Sequence, residues 1–360
     1  MVPDGCESNN MTRCFTLLAL SLCPLLGFSG CSRQDARPAP LETASADEEG
    51  GAVEEPSNDL YELPEDNVDS LEQFIDRLYS FRPRDTNEML EHERRSPTAL
   101  RRAARRILAF DTDSNSSAHE KASAILLEEA IESIERATPE RVSELHEELH
   151  ASLSSRKLKQ PLVARDMRLA LDVIEQLERQ DMSQAILAYR QFGKLFNDSQ
   201  DLELSTMARM MQGAARRLEL PGNVMKLTGT RMDGSMFNLD SLRGHVVLID
   251  FWATWCGPCI AEHPRIARAY RKYHDQGFEV IGISLDVDRQ RLDDYLAEHD
   301  IPWMTLHPGE RGKQNPVLER YGVMSIPVVI LVDRQGRVVS INARGDNLED
   351  LIEATLAKGG

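Results

Sequence analysis

The sequence is poor in basic and aromatic residues. There are 42 Lys and Arg against 59 Asp and Glu, a net charge of −17, and Phe, Trp and Tyr together make 6%. Nucleic-acid binders need a basic footprint, so that partner class is excluded. No second close cysteine pair and no suitably spaced histidine pair accompanies Cys256 and Cys259, which excludes a zinc ribbon. Calcium-loop and phosphate-cradling glycine patterns are missing as well. Long apolar runs are scarce. The N-terminal run "FTLLALSLCPLLGFSG" is broken by Pro24 and is shorter than the membrane span of about 20 residues it would have to make. At 360 residues the chain is long enough for two ordinary domains.

What is present begins with that run. It ends in small residues and Cys31, and it resembles a bacterial lipoprotein signal peptide over residues 1–31, with Phe28 where such boxes usually carry Leu. The resemblance implies that Cys31 is the lipid attachment site and the mature N-terminus. The stretch after Met1 is acidic, with Asp4 and Glu7, whereas a start at Met11 gives the short basic segment, with Arg13, that such signals have. An uncleaved anchor or an ordinary secretory signal fits the same run, and every version sends the rest of the chain out of the cytoplasm. Residues 32–66, centred on "DEEGGAVEEP", read as an acidic, self-repelling, disordered linker. With Cys6, Cys14 and Cys23 removed with the signal and Cys31 lipidated, only Cys256 and Cys259 remain of the six cysteines. An exported chain with one close pair is not a disulfide-framework protein.

Residues 67–220 are helical in pattern. Apolar residues recur at three- and four-residue spacing in "VDSLEQFIDRLYSF", "KASAILLEEAIESI" and "DMRLALDVIEQLER". Ser96-Pro97 and Thr138-Pro139 read as helix starts, a capping hydroxyl before a first-turn proline. Roughly seven helices with short polar connections are expected, as a helical bundle or a short solenoid. From Leu220-Pro221-Gly222 onward, over residues 221–360, strands alternate with helices. "MKLTGTRMDGSMFNL" reads as a hairpin turning at Asp233-Gly234, and "HVVLIDFWA" and "FEVIGISLD" as buried strands. "SIPVVILVDRQGRVVSINA" reads as a strand, a turn at Gln335-Gly336 and a partner strand, and "NLEDLIEATLAK" as a closing helix. The expectation is an all-α region followed by an α/β domain with a mixed sheet sandwiched by helices.

"VVLIDFWATWCGPC", with Ile326-Pro327 before a later strand, resembles a thioredoxin-fold protein. The hairpin, the extra helix from Gln290 to Asp300, and Glu262 three residues after Cys259 make it specifically similar to TlpA/ResA-like extracytoplasmic thiol-disulfide oxidoreductases, over about residues 222–360. The local chemistry agrees. Cys256 sits where a strand gives way to a helix, and the unpaired N–H groups and dipole of that terminus favour a thiolate. Cys256 is then the nucleophile that forms a mixed disulfide, and Cys259, one turn on, resolves it and closes the Cys256–Cys259 disulfide. Pro258 restricts the backbone between them, and Trp255 shields the pair on one side. Asp250 matches the buried acid of thioredoxins, held near neutral by desolvation, which accepts the Cys259 proton through water. Glu262 matches the Glu typical of the TlpA/ResA group and does similar work, although some relatives carry Asn at the Asp250 position. Thioredoxins often place at Gly282 a Lys that pairs with the buried acid; without that cation Asp250 should be harder to ionise. Pro327 matches the cis-proline of the fold, with the Ile326 backbone free to pair with an extended substrate. No cofactor is implied beyond the redox-active disulfide, and no metal.

Other signals are weaker. "HEELH", His146 to His150, matches the zincin pattern. Val142, Leu145, Leu149 and Leu153 stripe the same helix, however, so the histidines flank a core seam, and no third-ligand motif follows. "RRAARR", Arg101 to Arg106, reads as a solvated helix face. The Thr-x-x-Cys peroxidase pattern is missing, since Thr254 stands two residues before Cys256. The expected protein is lipid-anchored in the cell envelope, on the periplasmic side of a bacterial membrane. The resemblance implies that it reduces disulfides in exported proteins, apocytochrome c in some members, and is itself re-reduced by a membrane thiol donor. The alternative is a helical partner-binding scaffold or envelope adaptor with an accessory redoxin domain, in which Cys256→Ser would leave the biological role intact.

Overall fold

Seven helices come first: α1 (Val68–Ser80), α2 (Thr86–Phe110), α3 (Ser117–Glu132), α4 (Pro139–Lys157), α5 (Ala164–Gln180), α6 (Met182–Phe196) and α7 (Leu202–Leu218). These come from a computed structural model that describes residues 59–65, 67–307 and 316–358. The signal segment, Cys31 and most of the expected linker lie outside the described residues. Each helix packs mainly on its neighbours in the chain, with lesser α1–α3, α3–α5 and α4–α6 contacts. That is the order of a stack of helix hairpins. Two apolar clusters hold it: Leu71, Phe74, Ala103, Ile107 and Ala122 join α1 to α3, and Leu145, Val173, Phe192 and Met211 join α4 to α7.

Thr138-Pro139 does open a helix: Thr138 Oγ1 accepts from the Arg141 N–H at 3.3 Å and Pro139 occupies the first turn of α4. Ser96-Pro97 does not. It lies inside α2, whose N-cap is Asp85, accepting from the Glu88 N–H at 2.9 Å. An interior proline costs a helix about 3 kcal/mol; here α2 continues through it, with the small residues Ala99, Ala103 and Ala104 buried in the cluster it shares with α1 and α3. The expected linker also ends early. Leu60, Tyr61 and Leu63 pack on the α1–α3 cluster, Tyr61 Oη lies 3.1 Å from His92 Nδ1, and the Arg95 guanidinium sits 4.5 Å over the Tyr61 ring. These three apolar side chains give the end of the acidic run a surface to bury.

The hairpin β1 (Thr228–Thr230) and β2 (Met236–Asn238) turns at Gly234, with φ +85°. There follow β3 (Val246–Trp252), α8 (Gly257–Tyr273), β4 (Phe278–Ser284), α9 (Arg289–His299), β5 (Met304–Leu306), α10 (Pro316–Tyr321), β6 (Val328–Val332), β7 (Val338–Ser340) and α11 (Leu348–Ala357). The sheet order is β5-β4-β3-β6-β7, with β3, β4 and β5 parallel and β6 and β7 antiparallel to their neighbours. Every residue of β3 is buried, as a central strand covered on both faces requires. Alternation sends Val247, Ile249 and Phe251 towards the hairpin and α10, and Val246 and Leu248 towards α8 and α11. Asp250 and Trp252 share the α8 face by the same period.

From Asn58 on, helices and sheet belong to one compact unit. The seam between them is α7 on α10. Arg216 Nε donates to Arg320 O at 3.0 Å, and Arg217 Nε donates to Tyr321 O at 3.1 Å, so α7 side chains satisfy the last carbonyls of α10. Tyr321 Oη donates to Lys226 O at 2.6 Å, fastening the lead-in to the hairpin. Pro221 to Met225 runs beside β7 and covers that edge, with Gly222 N–H donating to Val338 O at 2.8 Å.

Candidate active site

β3 ends at Trp252, and the chain enters α8 through Ala253 to Cys256. A buried carboxylate holds this turn: Asp286, just past β4, accepts from the Thr254 N–H at 3.0 Å, from Thr254 Oγ1 at 2.6 Å and from Ser284 Oγ at 2.9 Å. His307 Nε2 donates to Asp286 O at 2.8 Å, tying the end of β5 into the same network. The loop carrying the cysteines is therefore anchored to two neighbouring strand ends. The sequence signal for Asp286 is an acid two residues beyond a buried strand.

Cys256 is the N-cap of α8. Its Sγ accepts from the Cys259 N–H at 3.2 Å, and the first turn holds no acidic side chain. Cys256 and Cys259 are disulfide-bonded. The sulfur at the helix terminus is the one whose thiolate the N–H groups stabilise. It belongs to the more accessible residue, since Cys256 is 5% and Cys259 1% exposed. Pro258, in the first helical turn, is exposed and gives up an N–H that would have no intrahelical partner. Trp255 is 57% exposed and stands outside the apolar cluster around the cysteines. Trp252, wholly buried, packs there instead, with Ala253, Leu292 and the partly buried Ile326. The shielding indole is thus the one on the strand, because the pleat aims residue 252 inward and the turn lets residue 255 swing out.

The Ile326–Pro327 peptide is cis, and Ile326 joins the cysteine cluster. Of the expected substrate-side residues, Ile326 packs with Cys256 and Cys259, and Pro327 follows it through the cis bond.

The two expected acids part company. Glu262 Oε2 accepts from the Gly345 N–H at 3.1 Å and Oε1 from Arg265 Nη1 at 3.0 Å, while Arg265 reaches on to Asp346. Oε2 of Glu262 ties α8 directly to the turn before α11, and Oε1 holds Arg265 of the same helix, which bridges to Asp346 in that turn; the sequence pattern did not suggest this. Asp250 is buried, and its Oδ2 has no hydrogen-bond partner among the described residues. Burial pushes its carboxyl well above the usual carboxylate range; His263 draws it down and Glu262 adds to the rise. His263 Nε2 lies 3.6 Å from Asp250 Oδ2, a neighbour the sequence reading missed. Its signal was the helical period: Cys259, His263 and Ile266 line the inward face of α8. Opposite Asp250 in β4 is Gly282. A Cβ there would meet Trp252 Nε1 at 2.9 Å and Trp303 Nε1 at 3.3 Å, so two indoles fill the space a longer residue would take.

His146 of the "HEELH" stretch is buried against Phe192, ring centroids 5.6 Å apart. Among the described residues no group of three or more His, Cys, Asp and Glu is placed to hold a metal ion, and no helix is long and apolar enough to cross a membrane.

A mixed sheet, a helix capped by the first of two cysteines and a cis-proline beside them define a thioredoxin-fold dithiol domain. Residues 217–356 match the Redoxin family. The thiol-disulfide oxidoreductase ResA of Bacillus thuringiensis subsp. konkukian is 26% identical over 39% of this chain and 79% of its own length. ResA of Bacillus subtilis is 27% identical over 30% of this chain and 59% of its own length. A solved thioredoxin domain of a thiol-disulfide oxidoreductase from Bacteroides vulgatus is 30% identical, covering 38% of this chain and 97% of that one, with a TM-score of 0.36. Residues 217–356 are thus TlpA/ResA-like, similar to thiol-disulfide oxidoreductases of the thioredoxin superfamily, and the domain is by class a thiol-disulfide oxidoreductase.

Proposed function

We propose that the chain is a lipid-anchored, extracytoplasmic reductant of disulfides in exported proteins, apocytochrome c among the candidate substrates, re-reduced by a thiol donor in the membrane. The observation that carries the chemical part is Cys256 as the N-cap of α8, more accessible than Cys259 and packed with Ile326 of the cis peptide. In the reduced protein the Cys256 thiolate attacks a substrate disulfide and one substrate thiolate leaves. Cys259 then loses its proton and attacks Cys256 Sγ, and the second substrate thiolate departs. Two electrons pass to the substrate and the Cys256–Cys259 disulfide remains, with no further cofactor. In this reading Asp250, buried on the α8 face of the sheet, receives the Cys259 proton. The apolar N-terminal run and Cys31 support the export and anchoring.

The reduction potential of the Cys256–Cys259 pair tests the direction of electron flow. A value near that of thioredoxin, about −270 mV, is expected of a reductant, and one near −120 mV contradicts it. Mass spectrometry of the mature N-terminus is expected to find diacylated Cys31; any other terminus overturns the anchor.

A further inference from the structure

The geometry points to His263 as a positioning residue of the redox centre: acting through Asp250, it sets the pH range over which the Cys259 proton can be taken up. This rests on the dithiol reading above. Cys259 and His263 are one helical turn apart on the buried face of α8, 1% and 4% exposed. The Trp252 ring, which packs with both cysteines, lies edge-on to the imidazole at 4.6 Å. From β3, Asp250 Oδ2 faces His263 Nε2 at 3.6 Å, and among the described residues neither atom has a hydrogen-bond partner.

The other ring nitrogen suggests why Nε2 points its hydrogen that way. Tyr295 Oη, from α9, lies 3.3 Å from His263 Nδ1. A phenol that donates there leaves the imidazole hydrogen on Nε2, against the carboxylate. No cation can come from β4 in its place, because Gly282 opposes Asp250 and the Trp252 and Trp303 indoles occupy the space above it. Val329 of β6, the other neighbour of Asp250, is apolar. The remaining groups bearing on the pair are Glu262 of α8, which opposes ionisation of Asp250, and His299 of α9, stacked on Tyr295 at 3.9 Å.

In the resolving step the Cys259 S–H proton passes to the Asp250 carboxylate. The thiolate attacks Cys256 Sγ, the Cys256–substrate bond breaks, and the substrate sulfur leaves with the electron pair. A protonated Asp250 cannot take that proton. An imidazole beside the carboxylate lets it ionise at lower pH, and so widens the working range on the acid side.

The test uses the reduced full chain and an aromatic disulfide that releases a coloured thiol. The first release charges Cys256; the second reports attack by Cys259, and its rate is followed against pH. His263→Phe is expected to move the acid limb of that second rate up by about one to two pH units, a loss of roughly tenfold or more at the wild-type midpoint. His263→Gln, which keeps a donor, is expected to move it less. In an Asp250→Asn background His263→Phe is expected to add no shift. An acid limb unmoved in both His263 variants overturns the inference, as does an equal shift with Asp250→Asn already in place. If the wild type gives no second release at all, the dithiol reading fails instead.

Discussion

Gly213 of α7 and Gly322, just past α10, lie backbone against backbone. A Cβ on Gly213 would overlap Glu319 O and Gly322 N; one on Gly322 would overlap Ala214 N and Met210 O, and Gly322 also has φ +54°. Neither glycine can carry a side chain without parting the helices. The contact joins the helical stack to the short helix that leads, within a few residues, to the cis peptide at Ile326–Pro327. Gly213→Ala is expected to cost about 1–3 kcal/mol through overpacking, read as a lowered Tm. The reduction rate is expected to fall with it, since the displaced α10 carries the substrate-side loop. Unchanged stability would show that the seam yields freely.

Cys259→Ser leaves the nucleophile in place and removes the resolving sulfur. Mixed disulfides on Cys256 are then expected to accumulate, visible as mass shifts that dithiothreitol reverses. Failure to trap any test disulfide would put the first attack elsewhere.

Asp250→Asn separates stability from activity. Burial raises the Asp250 carboxyl above its unfolded value, so the folded chain holds a proton that the unfolded chain has already lost. The stability contributed by that proton is full below the ordinary carboxylate range and is lost as pH rises through the raised folded value. Asn needs no proton. The variant is therefore expected to be more stable than wild type near neutral pH, with the gain shrinking as pH falls towards the ordinary carboxylate range, while its resolving step slows. Denaturant midpoints across pH check the sign; a gain that grows on acidification would contradict it.

Gly282→Ala is expected to destabilise by about 1–3 kcal/mol, because its Cβ would press on Trp252 Nε1 and Trp303 Nε1. Denaturant unfolding measures this. A neutral result would mean the two indoles can give way, leaving room for a longer residue from β4.

What was legible in the sequence follows from the range of the interactions. β3, the capped start of α8 and the cis-proline are signalled by contiguous patterns, an apolar run, Trp-Cys-Gly-Pro-Cys and Ile-Pro before a strand. His263 is different: its meaning depends on Asp250, which reaches it only when α8 packs on the sheet, although the four-residue step from Cys259 was there to be seen. Trp252 and Trp255 differ by a pleat against a turn, and strand alternation alone could have ranked Trp252 the inward one. Glu262 can be read as a proton acceptor from its place after Cys259, and Arg265 three residues on is a local partner, but the Gly345 N–H on its other oxygen comes only with the fold. β5 and α10, three and six residues long, are too short to show a period. Pro97 misled because tertiary burial on both sides of α2 outweighs the local breaker.

The most direct test of the central claim is reduction of a protein disulfide by the reduced full chain, wild type beside Cys256→Ser. Wild type is expected to transfer two electrons per chain and finish with the Cys256–Cys259 disulfide formed, and Cys256→Ser to transfer none. Reduction that survives Cys256→Ser would contradict it.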